Sequence, residues 1–264
     1  MNLGVIGSGN MAKAMMGGII SSNILKADEI IASDAFAPSL EKAKAELGIN
    51  TTLSNVEVAE NSEIIVLSVK PQFYAAVINE IKDIVKDNTI IVTIAPGQTL
   101  ARLHEQFGRD LKIVRCMPNT PAMVKEGMTA ACPNEFVTKE EVETVLNLLN
   151  GFGKCAVVSE YMMDAVVSVS GSSPAYVYMF IEALADGAVC DGMPRDLAYK
   201  FAAQAVYGSA KMVLETGMHP GALKDMVCSP AGTTIEAVRV LEEKGFRSSV
   251  LEAMKACTKK AHSM

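Results

Sequence analysis

The sequence predicts an α/β fold in two parts: a parallel-sheet domain over residues 1–160 and an all-helical domain over 161–264. Three observations carry that prediction. Short Ile/Val-rich runs alternate with helical patterns through the first half, the rhythm of βαβ units whose strands are buried on both faces. The small-residue run Gly7-Ser8-Gly9-Asn10-Met11-Ala12 stands where the first such run meets the first helical pattern. Beyond Glu160 no strand pattern follows, and the helical patterns are apolar over wide arcs, as in Val177-Tyr178-Met179-Phe180-Ile181.

The elements follow in order. Strands are expected over 2–6, 30–33, 64–68, 90–94 and 112–116, with helices over 11–21, 39–47, 74–85 and 101–107 between them. Two weaker strands, 128–132 and 156–159, flank a helix over 139–149. In the second half the helices are 174–190, 194–215, 221–227, 234–243 and 247–261. Ser173-Pro174 supplies an N-cap with proline in the first turn, and Gly192, Gly217 and Gly245 supply stops. A helical domain of roughly a hundred residues has little volume for a core of its own. Helices apolar on most sides must nevertheless be buried, so the second half predicts a core shared with another copy of the chain.

Composition narrows the function classes. Half of the residues are apolar and a fifth charged, which is ordinary for a globular protein. The net charge of -6 argues against a nucleic-acid partner. No run is long and apolar enough for a membrane span, and 2–6 reads as a strand rather than a signal peptide. The six cysteines, Cys116, Cys132, Cys155, Cys190, Cys228 and Cys257, form no CxxC pair and are read as reduced core thiols of a cytoplasmic protein. His104, His219 and His262 stand apart from them, so no metal site is expected.

Gly7-x-Gly9-x-x-Ala12 fits the Rossmann-type dinucleotide fingerprint. Gly7 makes the turn, Gly9 admits a pyrophosphate to the backbone, and Ala12 lets helix and strand pack closely. Asp34 ends the second strand about twenty residues on, where an acid accepts from a ribose 2′-OH and favours NAD. It can equally be a turn cap before Pro38, and Lys42 and Lys44 stand on the next helix. A second open helix start, Ser229-Pro230-Ala231-Gly232-Thr233-Thr234, precedes the pattern at 235–241. Free N–H groups and the helix dipole suit it to a small carboxylate. One site for a dinucleotide and one for a small acid suggest a reductase.

These segments resemble the pyrroline-5-carboxylate reductases. The resemblance rests on residues 4–12, Val69-Lys70-Pro71-Gln72, Met117-Pro118-Asn119-Thr120-Pro121, Ser170-Gly171-Ser172-Ser173-Pro174-Ala175-Tyr176, His219-Pro220-Gly221-Ala222-Leu223-Lys224-Asp225 and 229–234. They span the chain, and the last three together are the most specific. The resemblance implies a Rossmann-type dinucleotide-binding domain, a helical dimerisation domain, NADPH or NADH as cofactor, and a homodimer that in many relatives builds a decamer. It places Ile6, Gly7, Ser8, Gly9, Asn10 and Met11 at the pyrophosphate, and Asp34 and Asn55 near the adenosine ribose. Ser68, Val69, Lys70, Pro71, Ile94, Ala95 and Pro96 line the nicotinamide. Glu160, Ser229, Gly232, Thr233 and Thr234 bind substrate, while Met226 stands where many relatives have Asn.

The implied reaction is hydride reduction of a five-membered cyclic imine bearing a carboxylate. The loop 229–234 would clamp the carboxylate through backbone N–H groups, and the Thr234 hydroxyl would orient the ring nitrogen or relay its proton. Capping of the last helices is the plainer reading of Thr233 and Thr234, and the two roles are compatible. Glu160 is either a substrate contact or a helix-start acid, and His219-Pro220-Gly221 reads as a turn feeding a helix. Two rival readings are a reductase of another cyclic imine or small hydroxy acid, and a non-catalytic nucleotide-binding relative. A hydroxy-acid reductase would normally place a lysine on the first helix of the second domain, and none follows Pro174 before Lys200.

Overall fold

The central strands of the first half are apolar at successive positions, so alternate residues enter cores on opposite faces of the sheet. A computed structural model describes residues 2–263. It contains β1 (Leu3–Ile6), α1 (Asn10–Ser21), β2 (Ile30–Ser33), α2 (Ala37–Leu47), β3 (Asn50–Thr52), α3 (Asn55–Asn61), β4 (Ile64–Leu67), α4 (Tyr74–Ile81), β5 (Ile90–Thr93), α5 (Leu100–Phe107), β6 (Lys112–Met117), β7 (Gly127–Pro133), α6 (Lys139–Asn150) and β8 (Gly153–Val157). Ile64 and Val66 turn to one side of the sheet with Met15, Met16 and Ile19 of α1 and Leu148 and Leu149 of α6. Ile65 and Leu67 turn to the other, with Val77, Ile78 and Ile81 of α4 and Leu103 and Phe107 of α5. Each side is a separate core, so both faces are covered and the central strands have no polar face to show.

The strand order is β3-β2-β1-β4-β5-β6-β7-β8. All neighbours pair parallel except β6 with β7, which are antiparallel; β8 then pairs parallel with β7. Successive strands run outward from β1 in one direction to β3, then return to its other side at β4. That reversal leaves a crevice at the carboxyl ends of β1 and β4. The edge strand β3 and helix α3 escape the hydrophobic pattern, because Asn50-Thr51-Thr52 offers no apolar run. Ser54 is their local signal: its Oγ accepts from Glu57 N–H at 3.1 Å as the N-cap of α3.

The described chain divides into two compact units, 2–171 with 258–263, and 172–257. A short helix α7 (Met163–Val166) and a wider π-helical turn at Val167–Gly171 close the continuous part of the first unit. The second part of the chain is helical throughout: α8 (Ser173–Cys190), α9 (Arg195–Thr216), α10 (Pro220–Val227), α11 (Thr233–Glu243) and α12 (Phe246–His262). Its buried residues among those described are three alanines, Ala185, Ala198 and Ala202, at the α8–α9 contact. Met179, Phe201 and Leu214 are 68%, 61% and 83% exposed. The unit therefore lacks a core of its own, and its wide apolar arcs stand open for another surface.

Candidate active site

The crevice is assembled from the loops that leave β1, β2, β4 and β5. Gly7 takes φ +97°, and a Cβ there would lie 2.8 Å from the Ser68 carbonyl oxygen, so only glycine makes this turn beside β4. Gly7 N–H donates to Ser33 O and Ser68 N–H to Ile6 O, each at 2.8 Å. These bonds tie together the ends of β1, β2 and β4. Gly9 is different. Its φ of −66° suits any residue, and a Cβ there would find nothing within 4 Å.

Gly9 is the N-cap of α1, with no side-chain cap and no acid in the first turn. Lys13 N–H to Gly9 O, at 3.0 Å, opens the helical ladder, so the N–H groups of Asn10, Met11 and Ala12 have no intrahelical acceptor. Exposed space beside uncapped donors on a twelve-residue helix fits a pyrophosphate.

Ser8 does not face that space. It is fully buried, and both its N–H (2.7 Å) and its hydroxyl (2.9 Å) donate to Asp34 Oδ2. Phe36 N–H donates to Oδ1 at 2.9 Å. Asp34 thus closes its own turn and holds the glycine loop from below, with one lone pair of Oδ1 left for an outside donor. No lysine or arginine pairs with it among the described residues. Asn55 is held on both sides, accepting from Ser33 Oγ and donating to Glu80 Oε2, each at 2.7 Å. Ser68 and Val69 are half-buried, Lys70 is exposed, and Pro71 opens a short 3-10 turn into α4. Ile94 and Ala95 are buried and Pro96 is exposed.

Three further residues fix the backbone around the site; Tyr74 and Arg115 lie outside the motifs, and Asn119 lies within the segment 117–121. Tyr74 O–H donates to Leu67 O, and Thr93 Oγ1 donates to Tyr74 Oη, each at 2.7 Å. Leu67 O can only accept, which fixes both directions. Burial pushes the Tyr74 hydroxyl up to about 12. Tyr74 thereby joins the strand ends that launch residues 68–71 and 94–96. Tyr74→Phe strands the Thr93 hydroxyl and is expected to cost about 1–2 kcal/mol, read as a lower thermal or urea midpoint.

Arg115 is the second, a buried charge in β6 paired with Glu160 at 2.9 Å. Its signal was in the sequence: a lone arginine in the apolar run Ile113-Val114-Arg115-Cys116-Met117. Asn119 is the third. It donates to Ser170 O at 3.2 Å and accepts from Met128 N–H at 2.8 Å, fixing the segment between β6 and β7.

Glu160 lies in the first unit. Its Oε1 accepts from Leu100 N–H at 2.8 Å and from Arg115, so it serves as a helix-start acid, for α5 rather than for its own helix. Burial, and then the Glu160 charge, raise the Cys132 thiol nearby.

Ser229, Gly232, Thr233 and Thr234 lie in the second unit at the start of α11. Ala231 takes φ +58°, a left-handed conformation costing about 1–2 kcal/mol outside glycine. Gly232 N–H then donates to Ser229 O at 3.0 Å, and a Cβ on Gly232 would lie 2.4 Å from Ser229 Oγ. The strain and the close approach leave α11 capped by Gly232 without a side-chain acceptor. Thr234 is half-buried and Thr233 exposed. His219 Nδ1 accepts from Gly221 N–H at 3.1 Å and caps α10, the turn role expected of it. Met226 is an exposed residue of α10. No group of three or more His, Cys, Asp or Glu side chains suited to a metal occurs among the described residues.

A family model for pyrroline-5-carboxylate reductase dimerisation matches residues 160–264, and one for NADP oxidoreductase, coenzyme F420-dependent, matches 2–97. The chain is 54% identical over 265 residues to the pyrroline-5-carboxylate reductase of Escherichia coli (strain K12), covering 99% of this chain and 97% of that protein. It belongs to the pyrroline-5-carboxylate reductase family. Solved structures of this family share the fold across the chain. The Coxiella burnetii enzyme has a TM-score of 0.94 at 32% identity, covering 99% of this chain and 97% of that one. The Plasmodium falciparum enzyme, with NADP bound, has a TM-score of 0.89 at 33% identity, covering 100% and 97%. The fold is therefore a Rossmann-type nucleotide-binding domain followed by a helical dimerisation domain, and the chain is an oxidoreductase of NAD(P).

Proposed function

We propose that this protein reduces 1-pyrroline-5-carboxylate to L-proline with NADPH or NADH, the last step of proline synthesis. The observation that carries the proposal is 54% identity to a reductase of that name, extending over both the glycine loop and residues 229–234. Of residues 6–11, Gly9, Asn10 and Met11 would hold the pyrophosphate over the turn that Ile6, Gly7 and Ser8 build, Asp34 and Asn55 the adenosine ribose, and residues 68–71 and 94–96 the nicotinamide end. When bound, the nicotinamide supplies a hydride.

Residues 1–160 form the cofactor domain in this reading, and 161–264 the dimerisation and substrate domain. The uncapped N–H groups of α11 take the substrate carboxylate, which needs no arginine. Ser229, Gly232 and Thr233 shape that cradle and Thr234 orients the ring nitrogen, while Glu160 is engaged by Leu100 N–H and Arg115 in the first unit. The imine carbon gains the hydride and the ring nitrogen a proton, for which Thr234 is a relay rather than an acid, since its own proton is too tightly held. The open apolar faces of α8 and α9 support a homodimer, which this reading extends, on the family resemblance, to a decamer working in the cytoplasm.

The deciding experiment is a steady-state assay with pyrroline-5-carboxylate and each nucleotide in turn. Asp34 carries no cationic partner among the described residues, so NADH is expected to give the higher kcat/KM. Turnover with neither nucleotide would defeat the reading.

A further inference from the structure

We propose that Arg115 is a positioning residue for the loop 94–97, acting through Glu160 and the first turn of α5. The inference rests on the reading above that this loop faces the nicotinamide.

Arg115 is the one charged residue among the buried residues described, 6% exposed in the middle of a sheet. A buried ion pair is a weak source of stability, since replacing both partners with apolar side chains of similar volume often does as well or better. The contacts it makes are specific. Nη1 donates to Glu160 Oε1 at 2.9 Å, and the same oxygen accepts from Leu100 N–H at 2.8 Å. The Nε is buried without a partner. Arg115 stands in register beside Thr93, the last residue of β5. Side chains in register on parallel neighbours rise from the same face, so Arg115 emerges beside the Thr93–Tyr74 bond.

Only residues 94–99 separate β5 from α5. Their near end is fixed by Thr93, by Tyr74 and by Ile94 N–H on Leu67 O. Their far end is fixed by Thr99, whose Oγ1 accepts from Arg102 N–H, and by Leu100 N–H on Glu160. Between the two pins, Pro96 and Gly97 border a cavity of about 560 Å³ that Arg115 and Glu160 also line. Glu160 leaves its own segment to reach α5, and Arg115 is the cation that keeps its carboxylate there. Without that cation, Glu160 has water as an alternative and the far pin loosens, while the near pin and the glycine loop are untouched.

The test compares two ligands on the full-length protein by calorimetry: the intact reduced nucleotide that the wild type binds, and ADP-ribose, which lacks the nicotinamide. In Arg115→Met, ADP-ribose affinity is expected to stay within about twofold, while the intact nucleotide binds about tenfold more weakly. In Arg115→Lys, which keeps the charge but not the forked donor set, the selective loss shrinks to about threefold. Parallel loss of both ligands would mark general damage and overturn the proposal, as would unchanged affinity for both. If Arg115→Met fails to fold, the Lys variant carries the same comparison, and an unchanged ratio there overturns it. Pyrroline-5-carboxylate is absent from these measurements. A protein inert toward that substrate but selective in this way would sink the proposed reaction and leave the positioning role standing.

Discussion

Thr234→Ala lowers kcat about a hundredfold while the fold and the nucleotide affinity stay as in the wild type. The size follows from what a positioned hydroxyl contributes to a proton transfer, typically two or more powers of ten. The selectivity follows from the structure. Thr234 is half-buried, and its hydroxyl makes no hydrogen bond to another described residue that the substitution would break. The helix is capped by Gly232 and the Ser229 turn, so the proposed carboxylate cradle survives. Thr234→Ser keeps the hydroxyl and should retain most of the rate. The measurement is single-turnover reduction of pyrroline-5-carboxylate alongside a nucleotide titration. Wild-type turnover in the alanine variant removes Thr234 from the mechanism.

Gly9→Val weakens nucleotide binding about a hundredfold without lowering the melting temperature. A branched side chain here meets no atom of the protein within 4 Å of its Cβ, and the backbone angles at Gly9 are open to any residue. It does occupy the space over the uncapped N–H groups of α1, the proposed pyrophosphate site. Gly7→Ala offers the contrast: its Cβ meets the Ser68 carbonyl at 2.8 Å in a left-handed turn, so both stability and binding fall. A loss of stability in Gly9→Val equal to that in Gly7→Ala would show that Gly9 serves packing instead. Ser8 is a poor probe of the same loop, since a charge placed there meets Asp34 before it meets any ligand.

The sequence by itself determined the fold class, the order of the main strands and helices, and the two helix starts on which the proposed function rests. Each is a local property. Alternation of Ile/Val runs with helical periods specifies a buried parallel sheet, and glycines and small residues at strand–helix or loop–helix junctions specify open backbone donors. Beyond β6 less was legible in the chain. Met128 to Cys132 read as one more strand, but its antiparallel pairing with β6 depends on the length and direction of the intervening turn. The polar edge strand β3 carried no periodic signal, because an edge strand needs no apolar face.

Only the tertiary structure decided which partners the polar side chains take. Asp34 bonds Ser8 and its own turn across 26 residues, Glu160 caps a helix that begins 60 residues earlier, and Tyr74 joins two strand ends. Such bonds are set by strand register and by what burial leaves within reach, and neither is written in any local window. Hydrophobic period is a property of neighbours in the chain, whereas hydrogen bonding in a core is a property of neighbours in space.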